Sequence, residues 1–145
     1  MKDISNAPGR YFAKMGHFVQ KRLDAIAAEN GVTSAQSRTL QFIAGQNRPV
    51  YQKDIEEEYD LRPATASQML QTMEDDGLIH REVDAFDRRK KRIVISEKWI
   101  ASTERMIDQI AEMEEQIICG IEPEKLDMFF EVMEQMLENM PRAKR

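Results

Sequence analysis

The sequence predicts a mainly α (α+β) fold, helices throughout with one β-hairpin set among them, and three observations predict it. The first is apolar spacing. Apolar residues recur at three- and four-residue steps over most of the chain, the signature of helices that bury one face. The second is punctuation: Pro63 stands where a first helical turn accepts it, and Gly31, Gly77 and Gly120 stand where helical patterns stop. The third is a change of pattern after Gly77, where two short strand-like runs flank a strongly basic loop. Helix, tight turn, helix and then a hairpin with a cationic tip is the layout of a winged helix-turn-helix lobe with a two-stranded wing.

Each element has its own justification. Tyr11 to Asn30 reads as a helix with a stripe of Phe12, Met15, Val19, Leu23 and Ile26, widened by Tyr11, Phe18 and Ala27. Thr33 opens a second helix, with Gln36 at capping-box spacing and Ala35, Leu40, Ile43 and Ala44 as inward residues. Gly45 to Pro49 form a loop. A short helix follows over Gln52–Glu58 with Ile55 inward, and its acidic run Glu56, Glu57 and Glu58 reads as a solvated face. The chain breaks at Asp60, Leu61 and Arg62. The next helix covers Pro63 to Asp75, with Ala66, Met69, Leu70 and Met73 as its buried stripe. Strands are expected over Leu78–Val83 and Arg92–Ser96, joined by the basic loop Ala85–Lys91. A long helix fits Glu97 to Cys119, capped by Ser96, with Ile100, Ile107, Ile110, Met113, Ile117 and Ile118 on one side. Pro123 opens a last helix whose broad apolar face carries Leu126, Phe129, Phe130, Met133, Met136, Leu137 and Met140.

Composition narrows the function. The 145 residues are 41% hydrophobic and 32% charged, and they suit one domain or one lobe with a helical extension. No run approaches the roughly 20 apolar residues of a membrane span, and the first residues lack the apolar core of a secretory signal. No membrane partner and a cytoplasmic location are therefore expected. Cys119 is the only cysteine, which excludes an intrachain disulfide and a cysteine zinc cluster. It reads as a buried structural thiol among Ile117 and Ile118. His17 and His80 have no ligand-spaced companions, so neither a metal nor another cofactor is expected. No nucleophile–base pair or phosphate loop suggests an enzyme. The net charge of −5 conceals an uneven distribution. Residues 1–96 hold 15 Lys/Arg and 14 Asp/Glu, whereas residues 97–139 hold three basic and 12 acidic residues. Met140 to Arg145 add three positive charges.

The helix over 63–75 and the wing over 84–92 carry the chemistry. With Ala66 to Met73 buried, the opposite helix face shows Thr65, Ser67, Gln68, Gln71 and Thr72. A helix entering the major groove needs such groups, because amides pair with adenine and hydroxyls reach bases or phosphates. Arg62 stands near the helix start, where free N–H groups favour a phosphate. From Arg88 to Arg92 all five residues are basic: Arg88, Arg89, Lys90, Lys91 and Arg92. Such a tip neutralises backbone phosphates or places an arginine in a minor groove.

On these residues the chain resembles the MarR-type transcriptional regulators over most of its length. The resemblance rests on Gly31 to Gln36 before the second helix and on Thr65-Ala66-Ser67 in the recognition helix. It rests also on Met73-Glu74-Asp75-Asp76-Gly77-Leu78-Ile79-His80-Arg81 and on Asp87-Arg88-Arg89 in the wing. It departs at Trp99, near the place where the family often has a glycine. The resemblance implies double-stranded DNA as partner, with Arg89 reaching into the minor groove and Arg88, Lys90 and Lys91 on or near phosphates. Asp87 would orient an arginine of the tip by a charge-assisted hydrogen bond. The resemblance also implies a small aromatic or lipophilic effector, since many members release DNA when an aromatic or phenolic ligand enters between the dimer helices and the DNA lobe. The peroxide sensors of the family carry a reactive cysteine near the N-terminus, and this chain has none there.

The apolar surplus of the terminal helices implies a homodimer. Its expected interface holds Phe12, Met15 and Val19 of the first helix with Ile110, Ile117, Phe129, Phe130, Met133 and Leu137 of the last two. The expected organisation is an N-terminal dimerisation helix at 1–30, a DNA-binding lobe at 31–96 and C-terminal dimerisation helices at 97–145. The expected function is a dimeric, sequence-specific DNA-binding regulator, a repressor reading a palindromic operator. The alternative is a winged-helix module for protein–protein contact without DNA binding.

Overall fold

The computed structural model describes residues 4–140 and shows six helices and one two-stranded antiparallel sheet. The chain divides into two compact units, 1–110 and 111–145. The boundary lies inside a helix, whereas the sequence pattern suggests boundaries after residues 30 and 96.

The first helix, α1 (Pro8–Glu29), starts on a proline and stops at Asn30 and Gly31. Asn30 does more than stop it. Its amide donates to the Ile26 carbonyl and to Gln109 Oε1, at 2.8 and 2.9 Å, while its own oxygen accepts from Arg105 Nε at 3.0 Å. Of the expected stripe, Ile26 is buried and Val19 and Leu23 are half-buried, but Phe12 and Met15 are exposed.

The second helix, α2 (Ser34–Gly45), has the anticipated capping box: Gln36 N–H donates to Thr33 Oγ1 at 3.2 Å, and Thr33 N–H donates to Gln36 Oε1 at 3.0 Å. Its inward face differs from the expected one. Leu40 and Ile43 are buried, but Ala35 and Ala44 are exposed, and Ser37 and Thr39 take their places. Both hydroxyls are satisfied inside. Thr39 donates to the Ala35 carbonyl at 2.8 Å and Ser37 to Met106 Sδ at 3.3 Å, so burying them leaves no orphan donor.

Helices α3 (Gln52–Glu58) and α4 (Pro63–Asp75) have the bounds expected from the sequence. The break between them passes through Asp60 at φ 49°, a left-handed conformation that Asp tolerates better than most residues. Ile55, Ala66, Leu70 and Met73 are fully buried, and Met69 is half-buried. At the end of α4, Gly77 N–H donates to the Glu74 carbonyl and Leu78 N–H to the Met73 carbonyl, both at 2.9 Å. This closure requires Gly77 at φ +71°, and a Cβ there would lie 2.9 Å from Lys98 Nζ.

Strands β1 (Ile79–Val83) and β2 (Lys91–Ile95) pair with Ile79 opposite Ile95 and Val83 opposite Lys91. Each lies within one residue of its expected position at either end. Val50 adds an unanticipated isolated bridge on the other side of β2: it pairs with Ile93, whose N–H donates to its carbonyl at 2.7 Å. That bond fastens the wing to the segment entering α3.

Helix α5 (Glu97–Ile118) buries Met113 and half-buries Ile110 of the expected side, but its buried face is otherwise rotated away from the isoleucines. Thr103, Met106 and Met113 are buried and Trp99 and Ile110 half-buried, whereas Ile100, Ile107, Ile117 and Ile118 are exposed. The helix carries two neighbouring apolar stripes, and apolarity alone does not say which one the core takes. Trp99 and Ile110 pack against a core made by Ile26, Leu40, Ile43, Val50, Ile55, Leu70, Met73, Leu78, Ile79, Ile93 and Met106. Cys119, expected to be buried, is exposed, because it follows the last residue of α5 on the turn that Gly120 completes.

In the second unit, α6 (Pro123–Asn139) buries none of its residues. Phe129, Phe130 and Leu137 are exposed, and Leu126, Met133 and Met136 are half-buried. The rings of Phe129 and Phe130 meet edge to face at 5.5 Å.

Candidate nucleic-acid interface

The polar face of α4 carries groups in two different states. Thr65, Ser67, Gln68, Gln71 and Thr72 are all exposed, as is Arg62 just before the helix. Gln71 is already engaged at both ends: its amide donates to Asp75 Oδ1 at 2.9 Å and its oxygen accepts from Arg81 Nη2 at 3.0 Å. Thr72 donates back to the Gln68 carbonyl at 3.1 Å. Among the described residues, the side chains of Thr65, Ser67 and Gln68 have no such partner. Among the described residues, the unpartnered polar groups of this face therefore sit in the first half of the helix, with Gln68 as the unengaged amide.

Arg81 explains why Gln71 is occupied. It lies on β1, where Gly77 folds the chain back along α4, and its Nε donates to Glu74 Oε2 at 3.2 Å. Its backbone N–H also donates to Glu74 Oε1 at 3.2 Å, so the carboxylate clamps helix to strand. Gln52 performs a similar task between the two helices of the motif, donating to the Pro63 carbonyl at 3.2 Å.

The wing loop runs from Asp84 to Lys90 and is built around two carboxylates. Asp84 is buried, only 6% exposed. Its Oδ1 accepts from the N–H groups of Phe86 and Asp87 at 2.8 and 2.9 Å, and its Oδ2 accepts from the Tyr51 hydroxyl at 2.6 Å. These donors hold the Asp84 carboxyl below the usual carboxylate range, the Tyr51 hydroxyl contributing most, and the same contact raises the Tyr51 hydroxyl above its usual value. Asp87 accepts from the Arg89 backbone at 3.0 Å and from Arg89 Nε at 3.2 Å. Arg89 thereby lowers the Asp87 carboxyl, and Asp87 gives the Arg89 guanidinium a defined orientation while leaving its side chain 91% exposed.

The remaining cations of the wing differ in freedom. Arg88 and Lys91 are exposed, with no ion pair among the described residues. Lys90 Nζ lies 5.4 Å from the centroid of the Tyr51 ring. Arg92 pairs with Glu82, its cross-strand neighbour, and His80 lies 2.8 Å from the other oxygen of the same carboxylate. His80 and then Arg92 hold Glu82 below its usual range.

The structure adds three cations that the sequence pattern does not single out for this surface. Arg48, Lys53 and Arg81 join Arg89, Lys90 and Lys91 around an open groove of about 600 Å³ between the start of α3 and the wing. Asp54 also lines it, paired to Arg48 at 2.7 Å. No sequence signal links Arg48 and Lys53 to the wing, since the Val50–Ile93 bridge that brings them near it is a long-range contact. Phe86 is likewise unanticipated, a side chain 98% exposed in the basic loop. Among the described residues, no cluster of His, Cys, Asp or Glu is arranged to hold a metal ion, and no helix is long and apolar enough to cross a membrane.

Comparison with known proteins agrees with this geometry. Residues 30–90, from the end of α1 to the tip of the wing, match the model of the MarR family. Solved structures match over nearly the whole chain. The transcription regulator MarR from Oenococcus oeni PSU-1 has a TM-score of 0.80 at 23% identity, covering 90% of this chain and 98% of that one. The S. aureus MepR–DNA complex has a TM-score of 0.83 at 24% identity, covering 93% and 97%. S. aureus MepR in its DNA-binding conformation has a TM-score of 0.82 at 25% identity, covering 92% and 98%.

Proposed function

We propose that this chain, whose residues 30–90 match the model of the MarR family, is a cytoplasmic homodimeric repressor that reads a palindromic operator. The winged helix-turn-helix lobe, matched over those residues to a family of transcriptional regulators, supports a DNA-binding regulator. In that reading Thr65, Ser67 and Gln68 meet base edges in the major groove, and Arg62 lies near the backbone at the helix start. Arg89 enters the minor groove, with Arg88, Lys90 and Lys91 on or near phosphates. The groove between α3 and the wing would seat the intervening phosphodiester chain on Lys53, Arg48 and Arg81. The observation that carries this reading is the Asp87–Arg89 pair, a cation held in one orientation and left exposed at the tip of a hairpin. An arginine serving only solubility would have no use for that restraint.

The dimer follows from exposed apolar side chains. Phe12, Met15, Phe129, Phe130 and Leu137 are each at least 42% exposed in the single chain. Burying a large apolar side chain contributes roughly 1.5–3 kcal/mol, so a second copy has much to gain by covering them. Two chains joined through residues 1–30 and 97–145 would hold two DNA-binding lobes at a fixed separation, for half-sites about one helical turn apart. A small aromatic or lipophilic effector that changed the setting of the lobes would change affinity.

Selecting bound duplexes from a random pool tests the core of this proposal. Palindromic sites should emerge, and Arg89→Ala should weaken binding to every duplex and flatten its salt dependence. Unchanged affinity and salt slope for Arg89→Ala would refute the role given to the wing.

A further inference from the structure

We propose that Tyr51 and Asp84 form a latch that sets the wing in its DNA-competent orientation, so that both act as positioning residues. The proposal rests on the DNA-binding reading above. Its observations are geometric. A two-stranded hairpin with five residues in each strand has little rigidity of its own, and its tip swings unless something outside the hairpin holds it. Asp84 supplies the hold from inside the loop. Its Oδ1 takes the N–H groups of Phe86 and Asp87, and its backbone N–H donates to the Lys90 carbonyl at 3.0 Å. Lys90 N–H in turn donates to the Asp87 carbonyl at 3.0 Å, which closes the loop on itself.

Tyr51 connects this closed loop to the helices. It precedes α3, and its hydroxyl donates to Asp84 Oδ2 at 2.6 Å across 33 residues of sequence. Tyr51 is itself fixed from behind. Its N–H donates to Asp54 Oδ2 at 2.8 Å, and Asp54 Oδ1 accepts from Arg48 Nη2 at 2.7 Å. A line of charge-assisted hydrogen bonds thus runs from Arg48 through Asp54, Tyr51 and Asp84 to the backbone of Asp87, whose carboxylate orients Arg89. Lys90 beside the Tyr51 ring makes a second, weaker contact between the same two parts.

Deleting only the Tyr51 hydroxyl leaves a buried carboxylate oxygen without its donor. The loop then shares its population between the latched orientation and others, and the apparent affinity for DNA falls in proportion to the latched fraction. Losing one hydrogen bond to a charged group corresponds to about a tenfold change.

The test uses full-length Tyr51→Phe, which keeps the ring, beside the unmutated chain and Arg89→Ala, on one selected duplex. For Tyr51→Phe we expect about tenfold weaker binding and a shallower salt slope, with minor-groove protection beneath the wing lost and major-groove protection by α4 kept. Without DNA, amide hydrogen exchange at Phe86 and Asp87 should accelerate in the same variant. Unchanged affinity, slope and exchange in Tyr51→Phe, with Arg89→Ala still impaired, overturns the latch and leaves the DNA reading standing. Weaker binding with an unchanged slope and both protections fading together also overturns it, because that is how a merely less stable protein behaves. An unmutated chain that binds no duplex, with Arg89→Ala no different, overturns the DNA reading and the latch with it.

Discussion

The two compact units hold their apolar residues in opposite ways. Residues 4–110 contain a closed core in which Leu40, Ile55, Leu70, Met73 and Met106 are fully buried by their own chain. Among residues 111–140 only Met113 is buried, and α6 presents its phenylalanines to solvent. Both segments read alike as helical patterns with an apolar face. The difference teaches that one helical pattern has two outcomes: in the first unit it closes a core within one chain, with Phe12 and Met15 of α1 left outside, whereas α6 leaves its apolar face exposed.

The largest expected effect breaks the comparison on the associating side. Phe130→Glu places a charge on a face that the proposed dimer buries, at a cost of roughly several kcal/mol. Sedimentation should shift from twice the chain mass of 16.9 kDa to once that mass. An unmutated chain that sediments as a stable monomer would remove the basis of the contrast.

Leu70→Ala should act on the other side. It opens a cavity in the closed core and should cost about 2–5 kcal/mol of folding stability. That loss should be independent of protein concentration, whereas the loss caused by Phe130→Ala should shrink as concentration rises. Denaturant titrations at two protein concentrations make the distinction.

A smaller effect separates the two glutamines of α4. Gln68→Ala should cost roughly 1–3 kcal/mol on the preferred duplex and less on random DNA. Gln71→Ala should cost less on the same duplex, since its amide is spent on Asp75 and Arg81. Equal losses on both duplexes for Gln68→Ala would limit that residue to backbone contact.

The smallest effect concerns pH. Asp54, Asp84 and Asp87 all have folded-state values below the usual one, because Arg48, Tyr51 and Arg89 respectively supply the leading hydrogen bonds. A depressed carboxylate contributes stability that is present above its unfolded value and lost as pH falls through its folded value. These three groups should leave stability flat from pH 7 to about 5, with their loss beginning below about pH 4. Urea midpoints across that range check it, and a loss centred near neutrality would implicate a different group.

Much of this protein was legible in its chain alone, for a local reason. Helix bounds at Gln52, Glu58, Pro63 and Asp75 follow from Pro63, the break at Asp60 and the glycine that closes α4, all of which act within a turn of where they stand. The Thr33–Gln36 capping box and the order of helix, turn, helix and hairpin are local in the same way. The basic tip was visible as a run of five cations, and Asp87 lies two residues from the Arg89 it holds.

Tertiary structure decided what depends on partners far along the chain. Which stripe of α5 enters the core was settled by the packing of Trp99 and Met106 with the lobe, because two neighbouring stripes of that helix are apolar. Ser37 and Thr39 take the place of Ala35 and Ala44 on the inner face of α2, where the Ser37 hydroxyl meets Met106, 69 residues away. The freedom of Gln68 and the engagement of Gln71 turn on Arg81, ten residues beyond Gln71 and brought back by Gly77. The hold on the wing turns on Tyr51 and Asp84, 33 residues apart. Local patterns record spacing along the chain, whereas a hydrogen bond between distant segments depends on the fold that brings its two ends together.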